Sequence, residues 1–164
     1  MVHLIRKFIG GGIVMQTQIK LAIGCDLAAY DFKMAIIREL KNRGYTLTDV
    51  GCNSSMEGDY PDIAKAVAEL VSSKKVDRGI LMCGTGQGMA IAANKCKGIR
   101  AALCYDIFGA IMCREHNDAN ILVTGAWMVS MDRALDIIEA FLFAKYSGGR
   151  HDMRIKKMME LEEK

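Results

Sequence analysis

The stretch 77–88, Asp77-Arg78-Gly79-Ile80-Leu81-Met82-Cys83-Gly84-Thr85-Gly86-Gln87-Gly88, decides the fold. Its first seven residues read as a strand whose part 79–83 is an unbroken apolar run, as expected of a strand buried on both faces of a parallel sheet. The alternating glycines then end the strand and lead into a helix. Outward from this unit the same alternation repeats, with strands expected at 20–25 (KLAIGC), 46–51 (TLTDVG), 99–105 (IRAALCY) and 119–125 (ANILVTG). Helices are expected at 29–43, 61–73, 87–95, 107–115 and 130–145, and a charged one from about 152. Right-handed crossovers then give an α/β fold: a doubly wound, five-stranded parallel sheet in a Rossmann-like three-layer α/β/α arrangement with a C-terminal helix.

Ligands of such sheets sit at the carboxyl ends of the strands. That rule singles out Asp26 after the first strand, Cys83 to Gly88 after the third and Asp106 after the fourth. Glycines at 84, 86 and 88 let backbone N–H groups approach an anion, and the positive end of the following helix favours the thiolate of Cys83. The competing reading is a small buried thiol beside an ordinary phosphate-binding turn. The loop is neither a dinucleotide fingerprint nor a P-loop, because it follows the third strand and lacks Gly-Lys-Ser/Thr.

Two further clusters carry polar chemistry. In Arg114-Glu115-His116-Asn117-Asp118, His116 can exchange protons near neutral pH and Asn117 can orient a hydroxyl or carbonyl; the alternative is a solvated histidine at a helix end. In Gly148-Gly149-Arg150-His151-Asp152-Met153-Arg154, a helix beginning near Arg150 puts Arg150 and Arg154 on one face, where two guanidinium groups can grip a phosphate. A solvated basic face remains open there. Pro61, in Gly58-Asp59-Tyr60-Pro61, marks a helix start.

With 164 residues and 51% hydrophobic content, one domain with a sizeable core is expected over 19–164. Residues 1–18 read as a disordered extension lacking the apolar stretch of a signal peptide, with Met15 a candidate initiator. The 22 basic and 19 acidic residues leave a net charge of +3 with no basic run, so a nucleic-acid surface is not indicated, and no segment is apolar enough to span a membrane. Six irregularly spaced cysteines point to reduced thiols in the cytoplasm. Cys113 with His116 supplies only half of a tetrahedral metal set, so no metal is expected.

Taken together, GCD at 24–26, DYP at 59–61, CGTGxG at 83–88, NK at 94–95, HND at 116–118 and GGRHxxR at 148–154 resemble the ribose-5-phosphate isomerase B family, which includes galactose-6-phosphate isomerase subunits. The resemblance spans about 19–160. It implies an aldose–ketose isomerase interconverting ribose 5-phosphate and ribulose 5-phosphate through an enediolate, within the pentose phosphate pathway. Another phosphorylated sugar, such as allose 6-phosphate or galactose 6-phosphate, is the alternative, and a non-catalytic sugar-phosphate binder is a third reading.

By the resemblance Cys83 is the base, with Thr85 and His116 the other catalytic residues, His116 assisting ring opening. Gly84, Gly86, Gln87 and Gly88 surround the enediolate oxygens, Asp26 and Asn117 bind hydroxyls, and Arg150 and Arg154 hold the phosphate. Tyr60 also belongs to the implied substrate site. The family needs no cofactor and works as a homodimer or homotetramer whose sites draw on two subunits. Two positions depart from its pattern: Leu27 stands where histidine is common, and Trp127 where a substrate-binding arginine is frequent.

Overall fold

The computed structural model describes residues 19–52 and 58–163. The expected N-terminal extension, 1–18, lies outside them.

Five strands form one all-parallel sheet: β1 (Lys20–Cys25), β2 (Thr46–Gly51), β3 (Arg78–Cys83), β4 (Ala101–Leu103) and β5 (Ile121–Gly125), in the order β2-β1-β3-β5-β4. β3 lies at the centre and is buried over five of its six residues, as its unbroken apolar run requires. Edge strand β2 is largely exposed, and its sequence alternates accordingly.

Among the described residues six α-helices accompany the sheet: α1 (Tyr30–Asn42), α2 (Tyr60–Ser72), α3 (Gln87–Ala93), α4 (Ile107–Asn117), α5 (Met131–Phe143) and α6 (Arg150–Met159). Leu21, Ile23, Ile80, Met82 and Leu122 meet α1, α5 and Ala110 of α4 on one face. Ala22, Leu81, Cys83, Ile121 and Val123 meet α2 and α3 on the other. The buried side chains of α2, at 63, 64, 67, 68 and 71, follow the helical period and make it one-sided. Gly24 and Gly79 face this helix on adjacent strands, and a Cβ at either would come within 2.7 Å of Ile63 or Val67. Helix α2 therefore lies unusually close to the sheet.

Of the boundaries that differ from the sequence reading, three have a direct structural cause. The fourth strand, expected over 99–105, is three residues long: the amide of Arg100 donates to the Asn120 side chain and that of Ile99 to Cys96 O, so neither N–H joins the ladder. The first helix is preceded by a 3-10 turn, Leu27–Ala29. The last starts at Arg150, two residues early, because Gly148 and Gly149, both at φ +63, turn the chain sharply into it. Asp106, singled out as a strand-end carboxylate, is a helix cap: its Oδ1 accepts from the Gly109 amide at 2.7 Å. Among the described residues no helix is long and apolar enough to cross a membrane.

Candidate active site

From β1 the chain turns outward to β2, and from β3 it moves the opposite way, so the carboxyl ends of β1 and β3 flank the switch point of the sheet. Asp26 and Cys83 stand there. The Asp26 amide donates to Met82 O, which ties the two strand ends together. Asp26 Oδ1 is buried without a hydrogen-bond partner, an arrangement that suits a hydroxyl donor from a ligand. Burial raises the Asp26 carboxyl above its ordinary value, against the opposing pull of nearby backbone amides.

The Cys83 loop is tightly built. The Gly86 amide donates to Cys83 Sγ at 3.0 Å, and Gly86 adopts φ +84. A Cβ at Gly86 would lie 2.5 Å from Leu103 and 2.9 Å from Thr124 O, so both backbone conformation and space demand glycine here. Ala126 and Trp127 amides donate to Cys83 O and Gly84 O, fastening the loop to the end of β5. The Trp127 ring packs against Gly84 and the Tyr60 ring against Gly88, each within 2.8 Å of where a Cβ would be. Leu27 and Trp127 are 60% and 73% exposed, which makes them a rim of apolar side chains beside the thiol. The Gln87 side chain is exposed, and the Gln87 backbone N–H donates to Thr85 Oγ1 at 3.4 Å.

The remaining expected residues lie elsewhere. His116 and Asn117 end α4, which descends to the amino ends of the strands just before β5. The ring of His116 stacks on His151, with centroids 4.4 Å apart and planes 9° from parallel. The Ser147 amide donates to Glu115 O, holding the start of α6 against this helix end. Arg150 and Arg154 stand one turn apart on α6, both exposed. Burial and then the neighbouring His116, Arg150 and Arg154 hold the His151 imidazole below its ordinary value.

Gly79 pairs with Ile121 and Cys83 with Gly125, so the two groups are separated by the strand length between them. That is about 13 Å at the usual rise per residue. Within one chain, Cys83 and His116 do not meet. A cavity of about 680 Å³ between the α3–β4 turn, α4 and α6 touches only Asn117 among the expected site residues, so it is separate from the thiol.

Sequence reasoning passed over Lys33 and Tyr105. Lys33 is fully buried, and its Nζ donates to Asp49 Oδ1 and Gly51 O at 2.6 Å each and to Cys52 O at 3.2 Å, closing the end of β2 beside Cys25. Its position on the apolar stripe with Ile36, Ile37 and Leu40 was the available signal. Nearby Cys25 is pushed up to about 12, first by burial, so it stays a thiol. The Tyr105 hydroxyl donates to Thr85 O at 2.6 Å. Among the described residues, no group of three or more His, Cys, Asp or Glu side chains gathers as a metal site.

Residues 21–158 match the family model described as Ribose/Galactose Isomerase. The chain belongs to this family. Its relatives include ribose-5-phosphate isomerase B of Escherichia coli (strain K12), 43% identical over 88% of this chain and 97% of that protein. D-erythrulose-4-phosphate isomerase of Pectobacterium atrosepticum is 40% identical over 85% of this chain and 93% of its own length. Among solved structures, ribose-5-phosphate isomerase B of Clostridium thermocellum superposes with a TM-score of 0.86 at 49% identity, covering 88% of this chain and 97% of that one. The Mycoplasma genitalium enzyme, determined with bound ribulose-5-phosphate, gives 0.83 at 37% identity, with coverage of 88% and 97%. This family's fold is therefore the fold of the chain, including its parallel sheet flanked by helices on both faces.

Proposed function

We propose that this chain is an aldose–ketose isomerase that interconverts ribose 5-phosphate and ribulose 5-phosphate. The observation that carries the reading is Cys83, set at the end of the central strand with a backbone N–H on its sulfur, in a chain of the Ribose/Galactose Isomerase family. Cys83, as thiolate, takes the proton from C2 of the open-chain aldose. The electron pair moves into an enediolate, whose oxygen charge is met by N–H groups of the Gly84–Gly88 loop. The proton then returns to C1, while the O2 hydroxyl proton passes to O1, leaving a carbonyl at C2 and a hydroxyl at C1. Preorganised donors of this kind are each worth about 2.7–4 kcal/mol at a developing oxyanion.

Thr85 lies beside the reacting carbons, Asp26 takes a hydroxyl, and Tyr60 and Trp127 wall the sugar. His116 assists ring opening, Asn117 binds a hydroxyl, and Arg150 and Arg154 hold the phosphate. These last four come from a second copy of the chain, a reading supported by their position at the other end of the sheet from Cys83. A homodimer is then the smallest working unit, with a homotetramer as a larger assembly of the same pair. A cytoplasmic setting fits a reaction that needs Cys83 reduced.

Leu27 and Trp127 favour a second reading, in which the sugar differs from ribose 5-phosphate. Apolar bulk at the rim suits another chain length or stereochemistry, and a relative named for a four-carbon sugar phosphate lies within the same range of identity. A coupled turnover assay with ribose 5-phosphate, allose 6-phosphate, galactose 6-phosphate and erythrulose 4-phosphate tests both readings. Highest kcat/KM on ribose 5-phosphate, lost in Cys83→Ala, is the expected result. A higher value on another sugar selects the second reading, and no turnover on any of them defeats both.

A further inference from the structure

We infer that Tyr105 is a positioning residue for the Cys83 sulfur, acting through the peptide unit that joins Thr85 to Gly86; this rests on the reading of Cys83 as the base. The carbonyl of Thr85 and the N–H of Gly86 belong to one planar group. Its oxygen accepts from the Tyr105 hydroxyl at 2.6 Å, and its N–H donates to Cys83 Sγ at 3.0 Å. A rotation of the plane that breaks one bond therefore breaks the other.

Gly86 makes this restraint necessary. Positive φ and the crowding by Leu103 and Thr124 admit only glycine at 86, yet glycine also tolerates the opposite orientation of the preceding peptide. In the flipped orientation the Thr85 oxygen, rather than an N–H, faces the sulfur. A carbonyl there repels a thiolate and the enediolate oxygens alike. Gly125 presses on Thr85 from below, where a Cβ would fall 2.7 Å from its carbonyl, but that contact fixes the loop's height and not the plane's direction. The Tyr105 hydroxyl, arriving from just beyond β4, supplies the directional element. Its hydrogen bond also polarises the peptide, which strengthens the N–H as a donor, and donors gain most when the acceptor is charged.

Tyr105→Phe removes only the hydroxyl. The expected result is a kcat lowered roughly five- to tenfold, the worth of one net hydrogen bond, with KM changed by less than about twofold. Alkylation of Cys83 by iodoacetamide at fixed pH, followed on its own peptide by mass spectrometry, should slow by a similar factor. Buried Cys25 is the internal control: a variant that merely loosens the fold labels Cys25 faster, whereas loss of positioning slows Cys83 and leaves Cys25 alone. Unchanged or faster labelling of Cys83 overturns the inference, as does a rise in KM at constant kcat. The labelling arm needs no turnover. A parent protein inactive on every sugar phosphate, with Cys83 labelling still slowed in Tyr105→Phe, defeats the isomerase reading and leaves the geometric role of Tyr105 standing.

Discussion

The carboxyl end of the sheet and its amino end are built on different principles. At the carboxyl end, Cys83 and its loop are buried, glycine-rich and fastened by backbone hydrogen bonds to β5. At the amino end, His116, His151, Arg150 and Arg154 form a cluster of side chains on two helices, with both arginines in solvent. The first can stabilise a charge that appears during reaction but carries apolar Leu27 and Trp127 at its rim. The second can hold a permanent anion but contains no thiol. Each has what the other lacks, and the fold keeps them about 13 Å apart along the strands.

The largest effect tests whether the two ends serve one site. Cys83→Ala and His116→Ala should each lower kcat by roughly 10²–10⁴-fold. If sites form between two chains, unfolding and refolding an equal mixture should restore about a quarter of the parent activity, because half of the dimers are mixed and each has one intact site of two. Absence of recovery, with mixed dimers demonstrated by native mass spectrometry, would show that the two residues do not act across an interface.

A smaller effect separates anion binding from chemistry. Arg150→Ala or Arg154→Ala should raise KM for the phosphorylated sugar by roughly 10–100-fold while leaving its unphosphorylated analogue little changed. Lysine should restore only part, since an ammonium cannot make the planar two-pronged contact. Equal changes for both substrates would remove the arginines from phosphate binding.

The rim at the carboxyl end can be tested by giving it the polarity it lacks. Leu27→His with Trp127→Arg should lower KM for ribose 5-phosphate by about tenfold if one new charge-assisted bond forms. Lower activity on ribose 5-phosphate together with a loss on a different sugar would instead mark Leu27 and Trp127 as parts of a differently shaped pocket.

The smallest effects have opposite signs at the two ends. Burial raises Asp26 above the ordinary 3.8, so its ionised form destabilises the fold; the favourable contribution is present below that pH and lost as pH rises. Asp26→Asn should thus raise Tm at pH 7 and lower kcat/KM, with the Tm gain shrinking in acid. His151 is held below the ordinary 6.5, so its contribution is present above that pH and lost as pH falls. His151→Gln should flatten the acid side of the Tm profile. Profiles that move together in both variants would break the contrast.

The sheet was legible from two signals: the buried apolar run 20–25 and the alternating edge strand 46–51 each match the observed strand residue for residue. The fourth strand was overextended because Arg100 and Asn120 pair through a side chain, which periodicity does not register. The glycine loop was legible from composition. Lys33 and Tyr105 were not, since a lysine among apolar neighbours reads as an interruption and a tyrosine closing the expected strand 99–105 reads as core. Their roles depend on carbonyls contributed by β2 and by the Cys83 loop, 18 and 20 residues away in the chain.

The closeness of α2 to the sheet makes Gly24 and Gly79 the fulcrum of a lever. Val67 rests on Gly79 and Ile63 on Gly24, while Tyr60, at the far tip of the same helix, overhangs Gly88. A single methyl group added at Gly79 lifts the middle of this rod, and the tilt is delivered to an aromatic ring against the Cys83 loop. Mutations at the floor of the sheet can thus shift the wall of the thiol loop without touching it.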